Sequence, residues 1–150
     1  MAALLDVNAL IALVDAYHVQ HEAMHRWFDA HAAQGWTNGG WATCPITENG
    51  MVRVLSQPVY PSGQCTPSVV IDILRVLKKS YEHIHEFWAD DVSLCDDLFQ
   101  QDYIIGTRQV TDAYLLGLAA KRGGRVVSFD RSLPWQAIRG GTEQLIETPR

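Results

Sequence analysis

The sequence predicts an α/β fold built on a mostly parallel sheet. Short apolar runs alternate with longer stretches of helical apolar spacing, the pattern of strands joined by crossover helices. The clearest strand, Arg125 to Phe129, carries the β-branched pair Val126-Val127 behind the turn residues Gly123-Gly124. At the polar end of each of four apolar segments stands one acidic residue: Asp6, Glu48, Asp112 and Asp130.

Ala3 to Leu5 suits a buried first strand that ends at Asp6. Asp6 and Asn8 can both cap a helix that starts at once and continues through Ile11 and Val14. A second helix is expected over His21 to Ala33, with Met24, Trp27 and Phe28 on one face and Gly35 ending it. A turn over Thr37 to Gly40 then leads into a second strand, Trp41 to Cys44. Pro45 is tolerated at the entry to the next helix, whose buried positions are Ile46, Met51, Val52 and Leu55. Gln57 to Pro67 reads as the longest irregular connection, inside the domain and not at its edge.

Ser68 to Lys79 repeats the helical spacing through Val69, Val70, Ile73, Leu74 and Leu77. Phe87 and Trp88 suit a short third strand or a buried connection, and Leu94, Leu98 and Phe99 a short helix. Thr111 caps or opens a helix through Ala120, with Leu115, Leu116 and Ala119 facing the core. Leu145 and Ile146 suit a last short strand.

Composition bounds the function. A chain that is 47% apolar and 19% charged is expected to form one soluble domain over residues 1–150, burying about two-thirds of its unfolded surface. Val7 to Val14 is too short to span a bilayer and is closed by Asp15, without the basic flank of a signal peptide. Cytoplasm is the expected location, with no membrane partner. Cys44, Cys65 and Cys95 form no CxxC pair and are odd in number, which fits a reducing compartment, with Cys44 a small core residue. The net charge of -5 argues against a broad basic surface for nucleic acid, although Arg53, Arg108, Arg125 and Arg131 lie near the acidic segments.

Taken singly, each carboxylate has a local explanation. Asp6 serves as a helix cap, Glu48 and Asp112 suit the positive ends of their helices, and Asp130 suits an Asx turn. Together they point to convergence, because parallel strands bring their C-terminal ends to one edge, where α/β proteins build sites. Gathered carboxylates repel one another unless a divalent cation or protons compensate. The chemistry implied is metal-dependent hydrolysis of phosphate esters.

Three segments carry a resemblance to a known family. LLDVNALIALVD, WATCPITENGMVRVL and RQVTDAYLLGLAAKRGGRVVSFDRSL resemble the PIN-domain ribonucleases, specifically the VapC-type toxins of toxin–antitoxin modules, over roughly Leu4 to Leu145. The resemblance implies an α/β/α sandwich around a parallel sheet, commonly homodimeric. It implies Mg²⁺- or Mn²⁺-dependent cleavage of RNA, with transfer or ribosomal RNA as target and a VapB-type antitoxin as inhibitor. It carries over Asp6, Glu48, Asp112 and Asp130 as catalytic and metal-site residues. Asp6 and Asp112 are assigned as direct ligands, Glu48 to the same ion or its water, and Asp130 to a second ion or its water. Asn8 and Thr111 are supporting candidates.

Other features have blander explanations. His18, His21 and His25, like His83 and His85, suit packed or surface histidines as well as zinc ligands. Trp27, Trp36, Trp41, Trp88 and Trp135 suit core positions as well as base-stacking platforms. Two other functions remain compatible with the acidic segments: a catalytically inactive PIN-like module that binds RNA or protein, and a phosphatase of small phosphomonoesters.

Overall fold

A computed structural model describes residues 1–36 and 39–150 of the chain. The expected turn over Thr37 to Gly40 falls partly on residues 37 and 38, which lie outside the described residues. Five strands, β1 (Ala3–Leu5), β2 (Trp41–Thr43), β3 (His85–Phe87), β4 (Arg125–Val127) and β5 (Ile146–Glu147), form one sheet in the order β3-β2-β1-β4-β5. Every pairing is parallel. Among the described residues, five α-helices connect or flank them: α1 (Val7–Val14), α2 (His21–Ala33), α3 (Pro45–Leu55), α4 (Pro67–Ser80) and α5 (Gln109–Lys121).

Because side chains alternate across a strand, β1 serves two cores. Ala3 and Leu5 join Leu10, Phe28, Met51 and Leu74 in the layer built by α1 to α4. Leu4 joins Leu115, Leu116, Trp88 and Ile138 in the layer built by α5 and the chain around it. Leu4 and Leu5 are both fully buried, each contributing about 1.5–3 kcal/mol relative to exposure. Burial on both faces is what an all-parallel sheet requires, and the result is the expected α/β/α sandwich.

The helices α2 and α3 match their predicted spans, and α3 begins with Pro45 in its first turn. Three details differ. The third strand is His85–Phe87, two residues earlier than Phe87-Trp88 suggested, because Trp88 turns into the α5-side core. The short helix expected at Leu94 to Phe99 is replaced by turns. There the Cys95 amide donates to the Ser93 hydroxyl and the Ser93 amide to Asp96, local bonds that compete with a helix. The helix α5 begins at Gln109, so Thr111 lies inside its first turn and does not cap it.

Among the described residues, no helix is long and apolar enough to cross a membrane. The helices α1 and α3 approach so closely that a Cβ added at Gly50 would lie 2.6 Å from Val7 Cγ2. That contact explains a glycine in the middle of α3, where it is otherwise unfavourable.

Candidate active site

In this sheet the chain proceeds outward from β1 through β2 to β3, then returns to place β4 on the other side of β1. The switch point therefore lies between β1 and β4, at their C-terminal ends, where open α/β sheets leave a crevice. Asp6 follows β1 and Ser128 follows β4, so both stand at that point.

Asp6 is buried and caps α1, its Oδ1 accepting the Val7 amide at 2.7 Å. Its Oδ2 accepts the hydroxyl of fully buried Ser128 at 2.8 Å. Ser128 Oγ in turn accepts from Asn8 Nδ2 at 3.0 Å and from the Asp130 amide at 3.1 Å. Asn8 Oδ1 accepts the Phe129 amide at 3.1 Å. Asn8 thus lies within α1 and does not cap it; it ties α1 to the chain leaving β4. Ser128 is the residue that sequence reasoning passed over. Its signal was a lone hydroxyl closing a buried strand two residues before Asp130.

Asp112 lies in the first turn of α5, half-buried, and its carboxyl accepts no hydrogen bond among the described residues. Burial, then the charges of Asp6 and Asp130, push its pKa up to about 6. Burial also raises the Asp6 carboxyl, against the hydrogen bonds from Ser128 and Val7, and the Asp130 charge adds to the rise. Asp130 is exposed, and its Oδ1 accepts from the Ser132 amide at 2.8 Å and the Ser132 hydroxyl at 2.6 Å, the Asx turn foreseen for it. The three aspartates therefore share one electrostatic neighbourhood.

Glu48 sits apart from that trio. Its Oε2 accepts Thr43 Oγ1 at 2.6 Å and Lys78 Nζ at 2.8 Å. His85 Nε2 lies 2.8 Å from Thr43 Oγ1. The single Thr43 proton is committed to Glu48, so His85 donates to the hydroxyl from its neutral Nε2–H tautomer. Burial, then Lys78, holds the His85 pKa down to about 4, which keeps the ring neutral. Thr111, beside Asp112, is exposed and forms no side-chain hydrogen bond among the described residues.

The all-oxygen, anionic donor set suits a hard divalent cation. Among the described residues no three histidine, cysteine or carboxylate groups close around one point. The aspartates thus do not form an all-protein cage. Such an arrangement fits Mg²⁺, which keeps several waters and takes one or two carboxylates directly.

Several of the remaining candidates have structural roles. His21 Nδ1 lies 2.7 Å from the Ala12 carbonyl and His25 Nε2 3.0 Å from that of Leu13, so both rings cover the C-terminal end of α1. Trp27, Trp36, Trp41 and Trp88 are buried. Arg125 is paired with Glu147, which also accepts Trp27 Nε1, so this arginine is committed to the sheet. Arg53, Arg108 and Arg131 are exposed.

No protein-family model matches the chain. Three curated proteins of Mycobacterium tuberculosis (strain ATCC 25618 / H37Rv) are similar to it over most of their length. Ribonuclease VapC44 is 44% identical over 149 residues, 99% of each chain. Ribonuclease VapC38 is 49% identical over 131 residues, 85% of this chain and 84% of the relative. Ribonuclease VapC39 is 42% identical over 146 residues, 97% of this chain and all of the relative.

Proposed function

This chain belongs to the VapC family of ribonucleases, and from that membership we propose an endoribonuclease toxin that hydrolyses RNA phosphodiester bonds with Mg²⁺, or with Mn²⁺ in its place. The observation that carries the proposal is the aspartate trio at the β1/β4 switch point, where burial and neighbouring carboxylates raise the pKa values of Asp6 and Asp112. Family membership also supports a transfer or ribosomal RNA as substrate, a VapB-type antitoxin as inhibitor, homodimeric assembly and a cytoplasmic location.

When bound, the cation supplies a Lewis acid that polarises the phosphodiester and acidifies the attacking water. Asp6 and Asp112 are the residues to hold it. A carboxylate accepts at about four positions, so the two bonds from Val7 and Ser128 orient Asp6 and leave it able to coordinate. Asp112, without a competing donor, is free to turn toward the ion. Asp130, beyond β4, and Glu48, held by Thr43 and Lys78 beyond β2, are the residues to orient water or a second ion. Ser128 and Asn8 fix the position of Asp6, and Thr111 supplies a hydroxyl beside Asp112.

The test is end-mapped cleavage of total RNA by the purified chain with Mg²⁺, beside EDTA and Asp6→Asn controls. Asparagine caps helices as well as aspartate does, so this substitution separates coordination from folding. A discrete cut lost in both controls is expected, with the variant at least roughly 100-fold slower. A folded Asp6→Asn protein that cuts at the normal rate refutes the site. A metal-supplied chain that never cuts RNA leaves the inactive binding module as the better account.

A further inference from the structure

Apart from the aspartates, one groove brings three cations, Arg75, Lys78 and Lys79, together with the carboxylates of Glu48 and Glu82. About 440 Å³ in volume, it is bordered by Glu48, Arg75, Lys78, Lys79, Glu82 and His85. Arg75, Lys78 and Lys79 are spaced three and four residues apart on α4, so they share one helix face, where Arg75 also forms an exposed, exchangeable ion pair with Asp72. Lys78 bridges two groups: its Nζ pairs with Glu48 at 2.8 Å and lies 4.9 Å from the ring centroid of Phe87.

Phe87 is the last residue of the edge strand β3 and stands in register with Thr43, at the C-terminal edge of the sheet. It is 53% exposed, whereas four of the five tryptophans are buried. Lys78 covers part of the ring and the rest faces solvent. The strand β3 lies two strands from β1, about 10 Å across the sheet. Phe87 and Asp6 thus stand at the same C-terminal edge of the parallel sheet.

We propose that Phe87 and the Arg75–Lys78–Lys79 face form a subsite for single-stranded RNA next to the cleavage crevice, Phe87 stacking an unpaired base and the cations holding the flanking phosphates. An aromatic platform beside a cationic groove is the general solution for single strands, and it requires bases that are free to leave a duplex. Lys78, shared between Glu48 and Phe87, couples the subsite to the acidic site. The inference rests on the ribonuclease reading for its substrate class and assigns residues that this reading leaves without a role.

The experiment measures binding of a short fluorescein-labelled, mixed-sequence single-stranded RNA to the full chain in EDTA, by anisotropy at several salt concentrations. A duplex of the same sequence runs in parallel, and circular dichroism melting confirms folding of each variant. Phe87→Ala should weaken single-strand binding by roughly 5- to 100-fold, Phe87→Trp should preserve it, and the duplex should change little. Arg75→Ala combined with Lys79→Ala should weaken binding and lower the salt slope by about 1–2. Unchanged affinity and slope in folded variants overturn the subsite, leaving these cations to a protein partner. Loss of duplex and single-strand binding in equal measure overturns the stacking role of Phe87.

Cleavage by the unsubstituted chain with Mg²⁺ is followed separately. Cleavage with no effect of the variants on binding removes the subsite alone. Binding losses as expected without any cleavage keep the subsite and remove the nuclease reading. Absence of both binding and cleavage overturns both.

Discussion

Removing the charge of Asp112 should act in opposite directions on stability and on activity. Its folded pKa of about 6 lies above the ordinary 3.8, so between those values the folded protein binds more protons than the unfolded chain. Stability of the metal-free protein therefore falls as pH rises through that window and is greater below it. Asp112→Asn removes the cost of burying that charge and then its repulsion with Asp6 and Asp130. At pH 8 it should raise the metal-free protein's stability by about 1 kcal/mol, allowing for solvent screening, or roughly 3 °C in melting temperature. The same protein should lose RNA cleavage and the melting-temperature rise that Mg²⁺ confers on the unsubstituted chain. A variant no more stable at pH 8 than the unsubstituted protein would show that neither burial nor the neighbouring charges strain the Asp112 carboxylate. Ser128→Ala deprives Asp6, Asn8 and the Asp130 amide of a shared partner, and should cost about 1–3 kcal/mol in urea unfolding and roughly 10- to 100-fold in cleavage. The four acidic residues were visible in sequence because each ends an apolar run. Ser128 was not, because a serine after a strand looks like any turn residue until its partners across 122 positions are known.

At the scale of elements, the contact between Gly50 and Val7 fixes the spacing of α1 and α3, the helices that begin beside Asp6 and Glu48. Gly50→Ala must push these helices apart or distort Val7, which should cost about 1–3 kcal/mol, read as a lower urea midpoint. An unchanged midpoint would mean the α1–α3 packing yields freely. Elements whose evidence is local were legible: α2 declares itself through Met24, Trp27 and Phe28, and β4 through Val126-Val127. The segment from Leu94 to Phe99 misled because its apolar residues have helical spacing while Ser93 and Asp96 capture the backbone amides. The placement of Trp88 misled for another reason: the side of the sheet it enters is decided by α5, more than twenty residues later in the sequence.

For the molecule as a whole, the electrostatic pattern predicts metal-dependent stability as well as activity. EDTA should abolish cleavage, and added Mg²⁺ or Mn²⁺ should restore it while raising the melting temperature, most at pH values above 6, where Asp112 is ionised. Cleavage undiminished by EDTA would remove the cation from the chemistry. The α/β class was legible because strand–helix alternation is a local pattern. Strand order was not, because it depends on which distant segments pair. That order sets a timetable. The strand β1 is made early, yet its Asp6 acquires Ser128 and the neighbouring Asp112 and Asp130 only after the last third of the chain exists. A partly synthesised chain emerging from a ribosome therefore has no assembled crevice, and RNA nearby is exposed to the finished enzyme but not to its precursor.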